Sequence, residues 1–396
     1  MIRQNGDQKD HIMLSRGNIV QSIDVKLING NINGITKFKL LIPNTRNNPD
    51  QEILFTKIFN AFGFLSPRTF FVNVNLNNSN TRMLFQEKAT KEMLEFNKRP
   101  EGPILEGDER YMWTHIEQNN QYGIAGLNHQ IAKQTNSNWS AKSKNHQAIS
   151  DEAITSLNSI YLDYINGIKY PFFLNSSHYE LNNHLLGNND KSNISHLDTF
   201  DVLMYAGGAL HGLAPHNRKF YWNSLEHYFE PIYYDGMISV FDAFRDIKSN
   251  FDNDQEFVGN RKIDSINIKN TKLRFLKLDK NKLFIDFKQS GSKMIRVDFD
   301  KLLIKIQNNI DKIYLLNNLQ PKRDWNKEVT RSKENYDSNN LLNYIKNLYK
   351  VKTDFDDIKI IFRDKKKFLV CNLNDFLDKN NLKVNCKTET LNKLEL

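Results

Sequence analysis

The spacing of apolar residues in the first 88 residues is the feature that most limits how this chain can fold. Two runs within residues 12–42, IVQSIDVKLI and ITKFKLLI, place an apolar residue at nearly every second position, with the turn-like NGNING between them. Successive side chains of a strand point to opposite faces, so this period predicts strands of a small sheet. TFFVNVNLN and RMLFQEK predict two further strands.

One helix interrupts these strands. In QEILFTKIFNAFGF, Leu54, Ile58 and Phe62 recur at intervals of four, which produces one apolar stripe along a helix. Asp50 is the predicted N-cap, and Gly63 the predicted end. The first 88 residues are therefore predicted to run strand, strand, helix, strand, strand.

The remaining chain divides into two further parts by its pattern. Residues 89–254 are mainly helical in spacing, as in DEAITSLNSIYLDYI and LDTFDVLMYAGGAL, and end in a predicted strand pair, FYWN and FEPIYYD. Residues 255–396 open with the short alternating runs KLRFLKLD, KLFIDFKQ and KMIRVDFD, which predict three strands. A helix in KLLIKIQNNIDKIYLL and a strand pair in IKIIFR and KFLVCNL follow. The chain is predicted to be an α+β protein whose third part is an extension of unknown role.

Charge and composition exclude some classes of function. The chain carries 55 Lys and Arg against 46 Asp and Glu, and this excess is spread along the sequence. No nucleic-acid-binding signature accompanies it, so nucleic acid is not an expected partner. No apolar run approaches the roughly 20 residues of a membrane span, and the N-terminus lacks a signal-peptide core. A cytoplasmic protein without a membrane span is expected.

Two loops between residues 211 and 237 carry groups that suit a magnesium–phosphate site. Asn217 ends HGLAPHN before a predicted strand, and Asp235 stands in DGM after the next strand, 18 residues further on. An amide oxygen and a carboxylate suit Mg²⁺, which takes its other ligands from water and phosphates. Arg218 and Lys219 point to opposite sides of the strand between them, and one of the two could meet a phosphate. Both loop residues could instead simply form tight turns.

The motifs together resemble the CotH kinase family, which comprises spore coat protein H and its relatives. The similarity is carried, in order, by KIFNAFGFLSPRTFFVNVNLN, MLFQEKATKEMLE, HGLAPHNRKFYW and FEPIYYDG. It implies a bilobal protein-kinase-like fold, with residues 1–88 as the small lobe and 89–254 as the mainly helical large lobe. It also implies ATP and magnesium between the lobes, with Asn217 and Asp235 as metal ligands and a protein hydroxyl as the phosphate acceptor.

The resemblance further implies three nucleotide-binding positions in the small lobe. Lys37 and Lys39 share one strand face, and one of them would bind phosphate, Lys39 being preferred because it lies within the apolar alternation. Glu52 would orient that lysine, and Glu87 would lie near the interlobe hinge that holds adenine. Alternatively, the lysine lies on the protein surface, Glu52 only complements the helix dipole, and Glu87 is an exposed acid at a strand end.

The catalytic base that the resemblance implies is missing. A kinase catalytic loop places an Asp five residues before the metal-binding Asn, and Gly212 occupies that position. His211 or His216 could take the hydroxyl proton instead, or Asp201 or Asp242 could approach from elsewhere; both histidines could also be purely structural. The leading hypothesis is an atypical kinase. The alternatives are a nucleotide-binding or scaffolding pseudokinase and a structural, surface-associated protein.

Overall fold

The computed structural model describes residues 1–6, 11–15, 18–76, 78–108, 131–167, 181–243, 263–319, 359–364, 367–372 and 386–389. Its described residues up to 319 belong to one compact unit, and those from 359 onward belong to a second. Helices and antiparallel sheets are both present. The fold is therefore mixed α+β, as the sequence predicts.

The N-terminal strands form a five-stranded antiparallel sheet and a separate two-stranded one. The five-stranded sheet has the order β1-β4-β5-β7-β6, and β2 pairs with β3. The predicted order of two strands, one helix and two strands is confirmed for β4 through β7. The elements are β1 (Ile2–Gln4), β2 (Ile12–Ser15), β3 (Asn18–Gln21), β4 (Ile23–Lys26), β5 (Lys37–Leu41), α1 (Pro49–Ala61), β6 (Thr69–Leu76) and β7 (Ser79–Glu87).

Helix α1 begins before the predicted cap. Asn48 is the N-cap and Pro49 the first helical residue, so Asp50 lies inside the first turn and its prediction as N-cap was wrong. Proline suits the first helical position because its fixed φ matches the helix and its missing N–H is not needed there. Gly63 follows the C-terminus with a φ of +77°, a left-handed conformation that glycine adopts readily, so the predicted end is confirmed.

A second antiparallel sheet and several helices follow. The sheet has the order β11-β10-β8-β9, and its hairpin pairs Lys219 with Ile232 and Asn223 with Tyr228, which confirms the predicted strand pair. Strands β8 and β9 were not predicted. The elements are α2 (Lys91–Phe96), β8 (Ile104–Gly107), β9 (Ala132–Gln134), α3 (Lys144–Gly167), α4 (Asn183–Leu186), α5 (Lys191–Ala206), β10 (Lys219–Asn223) and β11 (Tyr228–Ile232).

The three strands predicted between residues 272 and 300 were wrong. The chain forms helices α6 (Ser265–Leu276) and α7 (Lys280–Gln289) there, and α8 (Arg296–Leu319) begins within the third predicted strand. The side chain of Asp264 caps α6, and that of Asp279 accepts hydrogen bonds from two backbone N–H groups at the start of α7. Such caps satisfy N–H groups that a helix start leaves without partners. An alternating run of four or five residues fits either structure, and the caps favour the helix.

These C-terminal helices share one hydrophobic core with α1 and α5. Phe59 of α1, Phe200 of α5 and Phe299 of α8 are members of the same buried cluster. Residues 263–319, assigned from the sequence to an extension of unknown role, thus pack into the core of the first unit. Among the described residues, no helix is both long and apolar enough to cross a membrane.

The second unit contains one antiparallel sheet in its described part. Its strands are β12 (Lys359–Asp364), β13 (Lys367–Asn372) and β14 (Cys386–Glu389). The strand pair predicted in IKIIFR and KFLVCNL is confirmed.

Candidate functional site

Four charged side chains from distant parts of the chain meet beside the first sheet. Lys39 lies on β5, and Arg46 directly follows the short 3-10 turn after β5. Lys219 begins β10, and Asp235 lies three residues after the end of β11. The charges of all three basic groups act on the Asp235 carboxylate. These four residues form the cation cluster.

Hydrogen bonds hold the segments of the cation cluster together. The backbone N–H of Tyr233 donates to the carbonyl oxygen of Leu65 at 2.8 Å, which joins β11 to the segment after α1. Asn48 Nδ2 donates to the carbonyl oxygen of Ile238 at 2.9 Å. The segments just before and just after α1 are therefore each fixed to the chain on one side of Asp235.

The two loops predicted to bind magnesium are in direct contact. A Cβ atom at Gly212 would lie 2.9 Å from the carbonyl oxygen of Tyr234 and 3.3 Å from Cα of Gly236. The 3-10 turn Leu210–Leu213 therefore packs against the backbone that carries Asp235. This packing requires glycine at position 212.

Arg46 and Asp235 form a buried ion pair. Arg46 Nη1 lies 3.0 Å from Asp235 Oδ1, and Arg46 is only 5% exposed. Burial raises the pKa of Asp235, but the adjacent Arg46 and further basic groups more than offset it and hold that pKa below its usual value. Asp235 has a φ of +48°, a conformation that few residues other than glycine and Asn or Asp adopt readily.

The two lysines of the cation cluster flank one aromatic ring. Lys39 Nζ lies 5.3 Å and Lys219 Nζ 4.5 Å from the centroid of the Tyr234 ring. Although burial opposes it, Tyr234 and Asp235 raise the pKa of Lys39, so this lysine stays protonated. Burial and the nearby Lys39 lower the pKa of Lys219 to about 7, while its contact with Glu106 acts in the opposite direction.

Glu52 lies buried in the first turn of α1, next to the cation cluster. Burial raises its pKa to about 7, and the nearby Arg46 only partly opposes that rise. The Tyr233 hydroxyl and the Ile238 backbone lie close by, but neither carboxylate oxygen of Glu52 makes a hydrogen bond of standard geometry. The ion pairs of the described residues do not join Glu52 to Lys39; the structure places Glu52 near Arg46.

The Asn217 side chain contacts His211 in the same loop. Its Nδ2 atom lies 3.0 Å from His211 Nε2 and 3.4 Å from the His211 carbonyl oxygen. An amide nitrogen can only donate, so His211 Nε2 is the acceptor of this contact. Burial and the neighbouring His211 lower the pKa of His216 to about 4, so His216 is neutral near pH 7.

Two nucleotide-binding residues implied by the resemblance lie apart from the cation cluster. Glu87 is fully buried and accepts a hydrogen bond of 2.8 Å from Arg68 Nε. Lys37 is two residues from Lys39 on β5, and its charge acts on Glu92. Of the two candidate lysines, Lys39 is the one whose charge acts on Asp235.

The candidate acids Asp201 and Asp242 also lie elsewhere. Asp201 on α5 accepts hydrogen bonds from Arg218 Nη2 at 2.8 Å and from Asn183 Nδ2 at 3.1 Å, in a buried polar network. Asp242 is exposed and accepts a hydrogen bond from Ser239 Oγ. Arg218 pairs with the buried Asp201 and Lys219 with Glu106, so the two side chains point in different directions, as predicted.

Sequence reasoning missed Arg46, Tyr233 and Tyr234. Arg46 stands in the loop PNTRNNPD, where an arginine normally faces solvent, and no periodic pattern marks it. The two tyrosines continue the apolar strand FEPIYYD and are expected to be core residues on that basis. Their role in the site depends on which distant segments pack against them.

Comparison of the chain with models of known protein families gives no match, and comparison with curated proteins gives none either. What the site can do chemically therefore follows from its own geometry. In the cation cluster Arg46 pairs with Asp235 and Lys219 contacts Glu106, whereas Lys39 has no carboxylate within salt-bridge distance among the described residues. A protonated lysine of this kind favours an anion, and phosphate oxygens are good acceptors for both lysine and arginine.

Proposed function

We propose that this chain is a kinase-like protein that binds ATP at the cation cluster. The observation that supports the proposal is the convergence of Lys39, on a strand of the first sheet, with Asp235 and the Asn217 loop from the second sheet. In this proposal the first sheet and α1 form the small lobe of a bilobal fold. Helices α3 to α5 and the second sheet form the large lobe.

Lys39 is the best-placed group for a phosphate. The other cluster cations have carboxylate partners, since Arg46 pairs with Asp235 and Lys219 contacts Glu106. Among the described residues, Lys39 forms no such salt bridge, and its side chain is only partly buried. A protonated, partly desolvated lysine without a carboxylate partner interacts strongly with an added phosphate, because screening by water is reduced there.

Magnesium at Asn217 and Asp235 remains a prediction of the CotH resemblance. Two such donors hold Mg²⁺ only together with phosphate oxygens and water, so any ion would enter with the nucleotide. It would also compete with Arg46 for the Asp235 carboxylate. The described arrangement therefore does not fit a resident metal ion.

Transfer of the γ-phosphate to a protein hydroxyl is the activity that the resemblance implies. The bond from the γ-phosphorus to the bridging oxygen breaks, and ADP leaves with its electron pair. A new bond forms to the hydroxyl oxygen, whose proton passes to a base. Phosphoryl transfer depends mainly on positioning and charge, so a protein without the usual Asp can retain slow transfer. His211 is the candidate base in contact with Asn217, and its Nε2 atom is engaged by the Asn217 amide.

One observation favours a second function, ATP binding without transfer. A side chain at Gly212 would meet Met204 Cε at 2.7 Å as well as the backbone of the Asp235 loop. A catalytic carboxylate therefore cannot occupy the position that kinases use for it. In this alternative the protein is a pseudokinase.

ATP binding by calorimetry tests the proposal. Lys39→Met should weaken ATP binding about tenfold or more, because a charge-assisted contact is lost. Lys37→Met removes the same charge from the same strand face and should leave the affinity unchanged. Equal affinity in both variants, or no ATP binding by the wild-type chain, would show that the proposal is wrong.

Labelled phosphate then separates the two functions. Incorporation from γ-labelled ATP into the chain itself or into an added protein, lost in Asp235→Ala, would identify a kinase. Binding without incorporation would identify the pseudokinase.

A further inference from the structure

Arg46 occupies a position next to Asp235 where a metal-dependent site would hold a cation. The guanidinium reaches Asp235 Oδ1 at 3.0 Å, and its other contacts are long, 3.4 Å to the carbonyl oxygen of Thr45 and 3.4 Å to Gln86 Oε1. Arg46 cannot lose its proton under ordinary conditions. A full positive charge is thus permanently present beside the carboxylate.

The surroundings of Arg46 are not those of an ion pair kept for stability. Arg46 Nε, both carboxylate oxygens of Glu52, Gln86 Nε2 and the Tyr233 hydroxyl are buried without a hydrogen bond of standard geometry. Buried charges with polar neighbours left unsatisfied are costly to the folded state. Each such group needs an explanation, and a role in a functional site is one.

A divalent ion at Asp235 would meet strong repulsion. It would share the carboxylate with Arg46, and the ammonium groups of Lys39 and Lys219 act on the same carboxylate. Magnesium also gives up its water reluctantly and requires near-octahedral geometry. Arg46 and Lys39 already offer two positive charges to an incoming triphosphate, and Lys219 adds a third when it is protonated.

We infer that the Arg46 guanidinium supplies at Asp235 the positive charge that a divalent metal ion would otherwise supply, so that the cation cluster binds a nucleoside triphosphate without a divalent ion. The inference rests on the proposed function, since it concerns how the same site holds ATP. It distinguishes this chain from the metal-dependent site that the CotH resemblance implies.

The test compares ATP affinity of the full chain in EDTA and in excess Mg²⁺ by calorimetry. The wild-type chain should bind ATP with similar affinity in both buffers. Arg46→Met should weaken binding in EDTA about tenfold or more, and Mg²⁺ should restore most of the loss because Asp235 is then available to the ion. Arg99→Met removes an arginine that is ion-paired with Glu230 on β11 and should leave both affinities unchanged.

Arg46→Lys keeps the charge in a smaller side chain and provides a second variant if Arg46→Met does not fold. It should retain more of the affinity in EDTA than Arg46→Gln, which keeps polarity but not charge. Equal affinities of these two variants in EDTA would contradict the inference.

The remaining outcomes separate the inference from the proposed function. Wild-type binding that requires Mg²⁺ would overturn the inference and leave the proposed function intact. Wild-type binding in neither buffer would overturn the proposed function, and the inference with it. Arg46→Met binding in EDTA as tightly as the wild type would show that Arg46 has no part in holding the nucleotide.

Discussion

Gly212 shows how a single residue limits the chemistry of the site. In the proposed kinase-like arrangement it takes the place of the catalytic aspartate, and it is buried against Met204 and the backbone of Tyr234. Its φ is not in the left-handed region, so glycine is required there by close approach and not by conformation. Mutation to Asp would therefore separate the two site loops before it could provide a base.

At the residue scale, Gly212→Ala should destabilise the fold. The added methyl group must displace backbone atoms, which typically costs about 2 kcal/mol in a packed interior. Gly30→Ala is the control for the loss of a glycine without a packing clash, because nothing lies within 4 Å of its Cβ position. Since the φ of Gly30 is +75°, this mutation should cost about 1 kcal/mol through backbone strain alone. Denaturant unfolding of both variants measures the difference, and a smaller loss at Gly212 than at Gly30 would contradict the packing described.

At the scale of elements, short alternating apolar patterns predicted several strands correctly, but the same patterns also occur in segments that form helices. Strands β4 to β7 of the first sheet and the β10–β11 hairpin were predicted from the sequence and β1 was not, whereas α6 and α7 alternate locally and are nevertheless helices. In α7, Leu283 and Phe287 are buried at an interval of four. In so short a segment, two apolar residues four positions apart can also occur by chance. Only the packing of α7 against neighbouring elements shows that this spacing reflects a helix.

Helix α5 contains a histidine that should make stability depend on pH. The His196 ring packs on Phe64 at 4.2 Å between ring centroids. Burial, with the charges of Arg274 and Arg99, lowers its pKa to about 4. In the unfolded chain the pKa of His196 is about 6.5. Between about pH 4 and pH 6.5, His196 therefore binds a proton in the unfolded chain but not in the folded one. Stability should therefore fall as the pH falls from about 6.5 toward 4.

Thermal unfolding between pH 7 and pH 4.5 checks this expectation. His196→Phe should lose less stability over that range than the wild type, because the buried group no longer titrates. His184→Gln, at an exposed position, should follow the wild-type profile. Parallel profiles for all three proteins would rule out the role assigned to His196.

At the scale of the whole first unit, α8 connects the core to the site. Asn309 is buried in α8, and its Nδ2 atom donates to the carbonyl oxygens of Ala206 at 2.7 Å and Val240 at 2.9 Å. Ala206 ends α5, and Val240 follows the Asp235 loop. The helix predicted in KLLIKIQNNIDKIYLL is therefore part of the framework that positions the cation cluster.

Asn309→Ala should destabilise the first unit although Asn309 has no contact with the cation cluster. Two buried carbonyl oxygens lose their donor, which we expect to cost about 2–3 kcal/mol. The adjacent Asn308 is exposed, and Asn308→Ala should change stability by less than about 0.5 kcal/mol. Chemical denaturation of the pair measures this difference, and equal losses would show that the two hydrogen bonds are unimportant.

The sequence by itself determined the α+β class, most of the strands and helix α1, and it offered Lys39, Asn217 and Asp235 as candidate site residues. These features depend on local periodicity and on short motifs, which neighbouring residues specify. The tertiary structure alone decided that Arg46 pairs with Asp235, that Glu52 lies buried beside it, and that Gly212 has no room for a side chain. These contacts form between segments that are far apart in the sequence, so local patterns do not specify them. Burial at these contacts in turn shifts the pKa values of the charged groups.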